Sequence, residues 1–412
     1  MALVVQKYGG NPLCSRDGIF KVAQRIINTY NGGNDMVVVV SATRDEVARL
    51  VNLAGEILPD CENRGFDIIM SAGEQLSVGR LFLALTSLGY SASPYLGWQV
   101  PIITDSVHCR ASIQSVDPTR IKTDLSRGNI VIVTGLQGID ARGNITTLGT
   151  DDEDTAAVAL AKALEADACE IYTDVDGIYT ADPSVCYEAR KIARLTYDEM
   201  LELASAGTQG VRICAVEYAL KHDVELHIRS AYSDEPGTLV TKEESTMDAN
   251  VVTGIAYDKS EAKIAVIGIP DKPGVAATIL TALAKDDISV DMIVQNVSQA
   301  GLADLTFSVK KKELGKAHEI TRRIADELQA KNVVADERIC KVSIVGIGMR
   351  SHAGVAGRMF SALAYNNINI QMISTSDIKI AVAIDEKYTE LAVRVLHEAF
   401  ITDGQGKTVY AS

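Results

Sequence analysis

"KIAVIGIPDKPGVAATILTALAKDDISVDMIVQNVS" (263–298) and "KVSIVGIGMRSHAGVAGRMFSALAYNNINIQMISTS" (341–376) are two renderings of one pattern. Each opens on an alternating apolar run, breaks at a glycine turn, continues at helical spacing and ends in a second alternating run. Gly274 matches Gly354, Ile288 matches Ile368 and Met292 matches Met372. A period of two predicts strand and a period near 3.6 predicts helix. A further strand follows each copy, "ADLTFSVK" (303–310) or "IKIAVAI" (378–384). A second helix comes next, "AHEITRRIADELQA" (317–330) or "YTELAVRVLHEAF" (388–400). Each copy therefore predicts a ferredoxin-like βαββαβ module. The two modules occupy residues 260–335 and 336–412. Upstream, "TKEESTMDANVVTGIAYDK" (241–259) starts polar and aperiodic, and 246–259 reads as a linker.

Residues 1–245 alternate short β-branched runs with amphipathic stretches. "LVVQK" (3–7), "MVVVVS" (36–41), "IVIVTG" (130–135), "EIYTD" (170–174) and "VELHIRS" (224–230) read as buried strands. "DGIFKVAQRIINTY" (17–30) and "DTAAVALAKALEA" (154–166) read as helices. This alternation predicts an α/β domain whose mainly parallel sheet lies between helices. Ligands of such sheets bind at the carboxyl ends of the strands, so the residues just after each run are the functional candidates.

The formal charge of −14 disfavours nucleic acid and acidic membranes as partners. Seven cysteines without a CxxC spacing argue against a disulfide framework or a zinc site and point to the cytoplasm. The apolar run at the N-terminus meets Lys7 too early for a secretory signal.

"KYGG" (7–10), "VSA" (40–42), "GEQ" (73–75), expected to open a helix, "GLQGIDARGNITTLG" (135–149) and "YTDVDGIYTADP" (172–183) follow one another in order. With "GMRSH" (348–352) and the paired modules, they closely resemble aspartokinases of the amino-acid kinase family, which carry tandem C-terminal ACT domains. The resemblance runs from Met1 to the last helix. It implies an amino-acid kinase fold over 1–245 and phosphoryl transfer from ATP, with Mg, to the aspartate β-carboxylate. Two anions meet in that reaction, so positioning and positive charge carry it.

The resemblance assigns roles residue by residue. Lys7 would contact phosphate, with Gly9 and Gly10 letting the backbone approach. Ser41 would lie near the phosphates, and Glu74 would hold the substrate ammonium. Asp154 would be the catalytic aspartate at the helix start. Thr173, Asp174, Tyr179 and Asp182 would line the base and ribose. Asp271, Asp291, Gln295 and Asn296 would form an effector site for lysine or threonine. The ACT modules imply a homodimer, with a mixed oligomer beside an active aspartokinase also open.

The departures from the family cluster around the anions. Asn11 and Pro12 stand where KxGGTS has hydroxyls, and proline also removes an N–H. Gln209 replaces a phosphate-facing lysine, with Arg212 close by to compensate in part. The family's GRGGSDTT becomes "GTDDEDT" (149–155): Thr150 stands for the arginine, Asp151 and Asp152 for glycines, Glu153 for the serine. Three readings stay open for this acidic tract. It is a stabilised helix start that has lost its anion site, a site for a cationic substrate group or divalent metal, or a residual aspartokinase site. Losing a charge-assisted hydrogen bond costs roughly 1.5–3 kcal/mol. Each added carboxylate repels another anion by about 4 kcal/mol at 4 Å and an effective dielectric of about 20. Aspartate phosphorylation is therefore expected to be severely impaired or lost.

Overall fold

The computed structural model describes residues 1–59, 62–149, 152–242, 251–297 and 301–402. Its contacts divide the chain into two units. One holds residues 1–178, 191–204 and 209–245; the other holds 179–190, 205–208 and 246–412.

The first unit is built on an eight-stranded sheet. Its order is Arg194–Thr196, Thr238–Thr241, Leu226–Ser230, Ala168–Thr173, Leu3–Tyr8, Asp35–Val40, Ile130–Thr134, Ala92–Tyr95. The strands from Leu226–Ser230 through Ala92–Tyr95 pair in parallel. Thr238–Thr241 runs antiparallel to Leu226–Ser230. Helices cover both faces, so the central strands bury nearly every residue, and Val37, Val38, Val39 and Val40 are all fully inaccessible. Tyr8 and Tyr172 stack across neighbouring strands with centroids 4.6 Å apart. Leu3–Tyr8 lies at the middle of the sheet, and the chain builds outward from it first on one side, then on the other. That makes its carboxyl end a switch point, where such folds bind ligands.

The helix around "GEQ" differs from expectation. It runs Arg64–Ser87, capped by Asn63, and Gly73 sits in its interior. A Cβ at Gly73 would come within 3.0 Å of Ala42 Cβ and Leu50 Cδ1, so the glycine serves a close helix contact, not a helix start. A small four-stranded sheet, Ile113–Val116, Ile102–Thr104, Gln137–Ile139, Ile145–Thr147, had no sequence signal strong enough to predict it. Asp67 ties the long helix to this sheet, accepting from Thr147 Oγ1 and from the Cys109 amide.

In the second unit, one sheet has the order Val290–Val297, Leu302–Lys310, Glu261–Pro270, Asn332–Asp336. The other has the order Gly254–Asp258, Ile339–Val345, Lys379–Asp385, Ile370–Thr375. Both are ferredoxin-like, with one correction. The fourth strand of the second sheet is Gly254–Asp258, antiparallel to Ile339–Val345, so part of the expected linker is structural. Alternation in "GIAYD" is too short to separate an edge strand from a linker by pattern alone.

The internal repeat holds in detail. Gly274 and Gly354 both cap their helices with positive φ, 95° and 89°, where a side chain would be strained. Met292 and Met372 meet in one small cluster with Ile339 and Ala383. Residues 179–190 and 205–208, expected in the first domain, pack with this unit. Ala181 and Cys186 are buried in its core, and Thr180 Oγ1 lies 2.9 Å from His397 Nε2.

Candidate functional site

The helix Glu153–Leu164 begins beside the carboxyl end of the central strand. Its acidic first turn therefore faces Lys7, the penultimate residue of that strand. Lys7 Nζ lies 2.8 Å from Asp154 Oδ1 and 3.6 Å from Glu153 Oε1. All three side chains are largely buried. Burial by itself depresses the lysine pKa, but the charges of Asp154 and Glu153 outweigh it and hold Lys7 above its ordinary value. Glu153 shows the reciprocal effect. Burial raises its pKa, yet Lys7, its own helix N-terminus and Ser41 together bring it below the usual range. Ser41 is buried at the end of Asp35–Val40.

Asp152 occupies the cap position without capping; its carboxylate instead accepts from Thr155 Oγ1. Burial pushes its pKa up to about 6, with the neighbouring acids adding to the shift. Asp154 Oδ2 accepts from the Arg212 amide at 3.2 Å. The Arg212 charge also eases the ionisation of Asp152 and Glu153. Thr150 and Asp151 lie outside the described residues, so the capping role open to Thr150 stays an expectation.

Glu74 enters from the middle of the long helix and is 1% exposed. Both its oxygens lie 2.9 Å from the Leu136 amide. Burial dominates all the same and raises its pKa to about 8, with Glu153 adding to the rise. The Leu136 amide was missed by sequence reasoning, since a backbone donor leaves no residue-type signal.

Gly9 and Gly10 do different jobs. A Cβ on Gly10 would stand 2.1 Å from Ala42 O, so this glycine lets two strand-end loops touch. A Cβ on Gly9 would meet only Lys7 Nζ, at 3.6 Å. The bare Cα of Gly9 therefore leaves room beside the ammonium, as a phosphate would need. Asn11, one of the departures, donates to Asp174 Oδ2 at 2.5 Å. Tyr232 OH donates to the same carboxylate at 3.3 Å and Arg44 approaches it at 3.7 Å. Thr173 ends the neighbouring strand. Gln209 is exposed.

Lys7, Ser41, Glu74, Asp152, Glu153, Asp154 and the Arg212 backbone are thus brought together. Tyr179 and Asp182 belong to the second unit, where Asp182 accepts from Ser184 and from Tyr257 OH at 2.9 Å. Among the effector candidates, Asp291 pairs with Lys341, whose side chain is 4% exposed and also donates to Ser205 O. Asp271, Gln295 and Asn296 are exposed. Among the described residues, no group of three or more His, Cys, Asp or Glu is arranged to hold a metal ion.

The amino acid kinase family model matches residues 2–230, and an ACT domain model matches 264–322 and 342–400. The chain is 49% identical over 410 residues to the aspartate kinase of Pseudomonas fluorescens, covering 99% of both chains. It is 44% identical over 414 residues to the aspartokinase of Corynebacterium glutamicum, covering 99% of this chain and 98% of that one. The chain belongs to the aspartokinases. Among solved structures, E. coli aspartokinase III in complex with aspartate and ADP matches with a TM-score of 0.78 at 22% identity. That match covers 96% of this chain and 99% of the other and shows the shared fold. The aspartokinase from Synechocystis is 39% identical, with a TM-score of 0.55 over 97% of this chain and 69% of its own.

Proposed function

We propose that this aspartokinase keeps Lys7, Glu74, Asp154 and Asp174 of the family's nucleotide and amino-acid positions but phosphorylates aspartate weakly or not at all. The carrying observation is Lys7, held by Asp154 at 2.8 Å with Glu153 at 3.6 Å. Glu153 stands at the position read as serine in the family motif. A lysine already paired with two carboxylates has little positive field left for a γ-phosphate and a substrate β-carboxylate.

The magnitudes favour this outcome. A substrate carboxylate 4 Å from Glu153 meets about 4 kcal/mol of repulsion at an effective dielectric near 20. One charge-assisted hydrogen bond from Lys7 returns roughly 1.5–3 kcal/mol. The balance opposes both aspartate binding and the transfer transition state. Glu74, as the ammonium partner, would release its proton when an amino acid binds at neutral pH, because its carboxyl sits at about 8.

ATP, with Mg bound to its phosphates, would lie against Lys7 and Gly9. Asp174, steadied by Asn11 and Tyr232, would face the ribose side. The exposed Asp271, Gln295 and Asn296 remain the surface for an amino-acid effector such as lysine or threonine. Such a protein acts in the cytoplasm as an amino-acid-responsive member of its pathway.

ADP release, measured over a panel of amino acids, tests the proposal. Aspartate turnover near typical enzyme rates of about 10 s⁻¹ sinks it. Rapid turnover of an amino acid whose side chain is neutral or cationic would instead place the acids in substrate recognition.

A further inference from the structure

The helix Arg44–Gly55 opens on Arg44, two residues past Ala42. This segment is pinned against the glycine loop, since a Cβ on Gly10 would stand 2.1 Å from Ala42 O and 2.8 Å from Thr43 Cα. Thr43 caps the helix, its side chain accepting from the Glu46 amide, so Arg44 has no capping duty. Its guanidinium instead reaches Asp174, just beyond the strand Ala168–Thr173. That strand and Asp35–Val40 flank the central strand Leu3–Tyr8, so the side chain crosses the switch point.

Asp174 does not use up this charge. Its Oδ2 accepts from Asn11 at 2.5 Å and its Oδ1 from Tyr232 OH at 3.3 Å. Arg44 stands 3.7 Å from Oδ2, beyond hydrogen-bond reach, with its side chain 80% exposed. Among the described residues this is its closest ion pair. A fork of five N–H donors is thus held over the strand ends and left open. Lys7 is the opposite case, closed by Asp154 and Glu153. Two acids adjoin Arg44 on its own helix. Glu46 is engaged by Arg49 at 3.0 Å, and Asp45 is exposed and screened by solvent.

We infer that Arg44 is a phosphate clamp, gripping the diphosphate of a nucleoside di- or triphosphate between Lys7 and Asp174. The inference rests on the nucleotide reading above, with Asp174 toward the ribose and Lys7 toward the terminal phosphate. Arg44 stands beside Asp174, so it takes the α- and β-phosphates. Its planar fork matches phosphate oxygens two at a time, which a lysine cannot do. Asp174 steers the side chain over the loop without neutralising it, so little ordering remains to be done when the nucleotide arrives. Arg44 supplies positive charge that the paired Lys7 no longer offers. It does so at the diphosphate and not at the transferring group, which accords with nucleotide binding without efficient transfer.

Calorimetric titration of the full chain with Mg-ADP, Mg-ATP and AMP tests the clamp. Arg44→Ala is expected to weaken ADP and ATP by the same factor, about tenfold or more, as loss of one charge-assisted hydrogen bond implies. AMP, lacking the β-phosphate, should lose far less. Arg44→Lys keeps the charge but not the fork and should fall between wild type and Arg44→Ala. Raising salt from about 0.1 M to about 1 M shortens the Debye length from about 10 Å to about 3 Å, and should narrow the gap between wild type and Arg44→Ala. Unchanged ADP affinity in Arg44→Ala, equal losses for AMP and ADP, or a gap that ignores salt would each overturn the inference and leave the nucleotide reading standing. A wild-type chain that binds no ADP would overturn both.

Discussion

Glu74→Gln should stabilise the first unit increasingly as pH rises. Glu74 is buried, and its carboxyl titrates at about 8 against an ordinary 4.5. In that window the folded chain holds a proton that the unfolded chain has lost. Stability must then fall as pH climbs from about 4.5 through about 8 and level off above it. The separation, 8 minus 4.5, is 3.5 pH units, and at about 1.4 kcal/mol per unit the full penalty approaches roughly 5 kcal/mol. Glutamine keeps an acceptor for the Leu136 amide and carries no charge, so the variant escapes the penalty. The assay is urea unfolding followed by the fluorescence of Trp98, the chain's single tryptophan, which lies in the first unit. The variant should match wild type near pH 4.5 and exceed it by several kcal/mol at pH 8.5. A constant difference across that range would refute the assignment of a protonated carboxyl to this pocket.

Two further substitutions probe the framework. Gly10→Ala places a methyl 2.1 Å from Ala42 O and should cost about 1–3 kcal/mol by forcing the strand-end loops apart, read from the same unfolding curves. Asp291→Asn removes the counter-charge of the buried Lys341 ammonium and leaves it only neutral oxygens, the Ser205 carbonyl and the new amide; breaking a fully buried pair costs about 3–5 kcal/mol. Because Asp291 is half-exposed, a loss nearer 1–2 kcal/mol in the ACT unit is expected by calorimetry.

Much of the fold was legible because its signals are periodic. The valine run at 36–40 can satisfy its burial only in a covered sheet, and the matched Gly274 and Gly354 announced the repeat. The second ACT sheet's borrowed strand was not legible, since Gly254–Asp258 pairs with Ile339–Val345 across more than 80 intervening positions. Gly73 misled because a glycine marks a helix boundary and a close helix crossing equally well. In the site, Lys7 and the acidic tract were visible as residue types at strand and helix ends. Their ion pairing was not, because it depends on how the Glu153–Leu164 helix meets the central strand. Asn11 read as a loss from the family motif, yet it donates to Asp174.

The most direct test is the rate of aspartyl hydroxamate formation by the wild-type chain with saturating ATP, Mg and aspartate, set beside Lys7→Ala. With Lys7 already neutralised by Glu153 and Asp154, the two rates should be indistinguishable, both far below the ~10 s⁻¹ of an ordinary enzyme. A wild-type rate near that value, abolished in Lys7→Ala, would contradict the account.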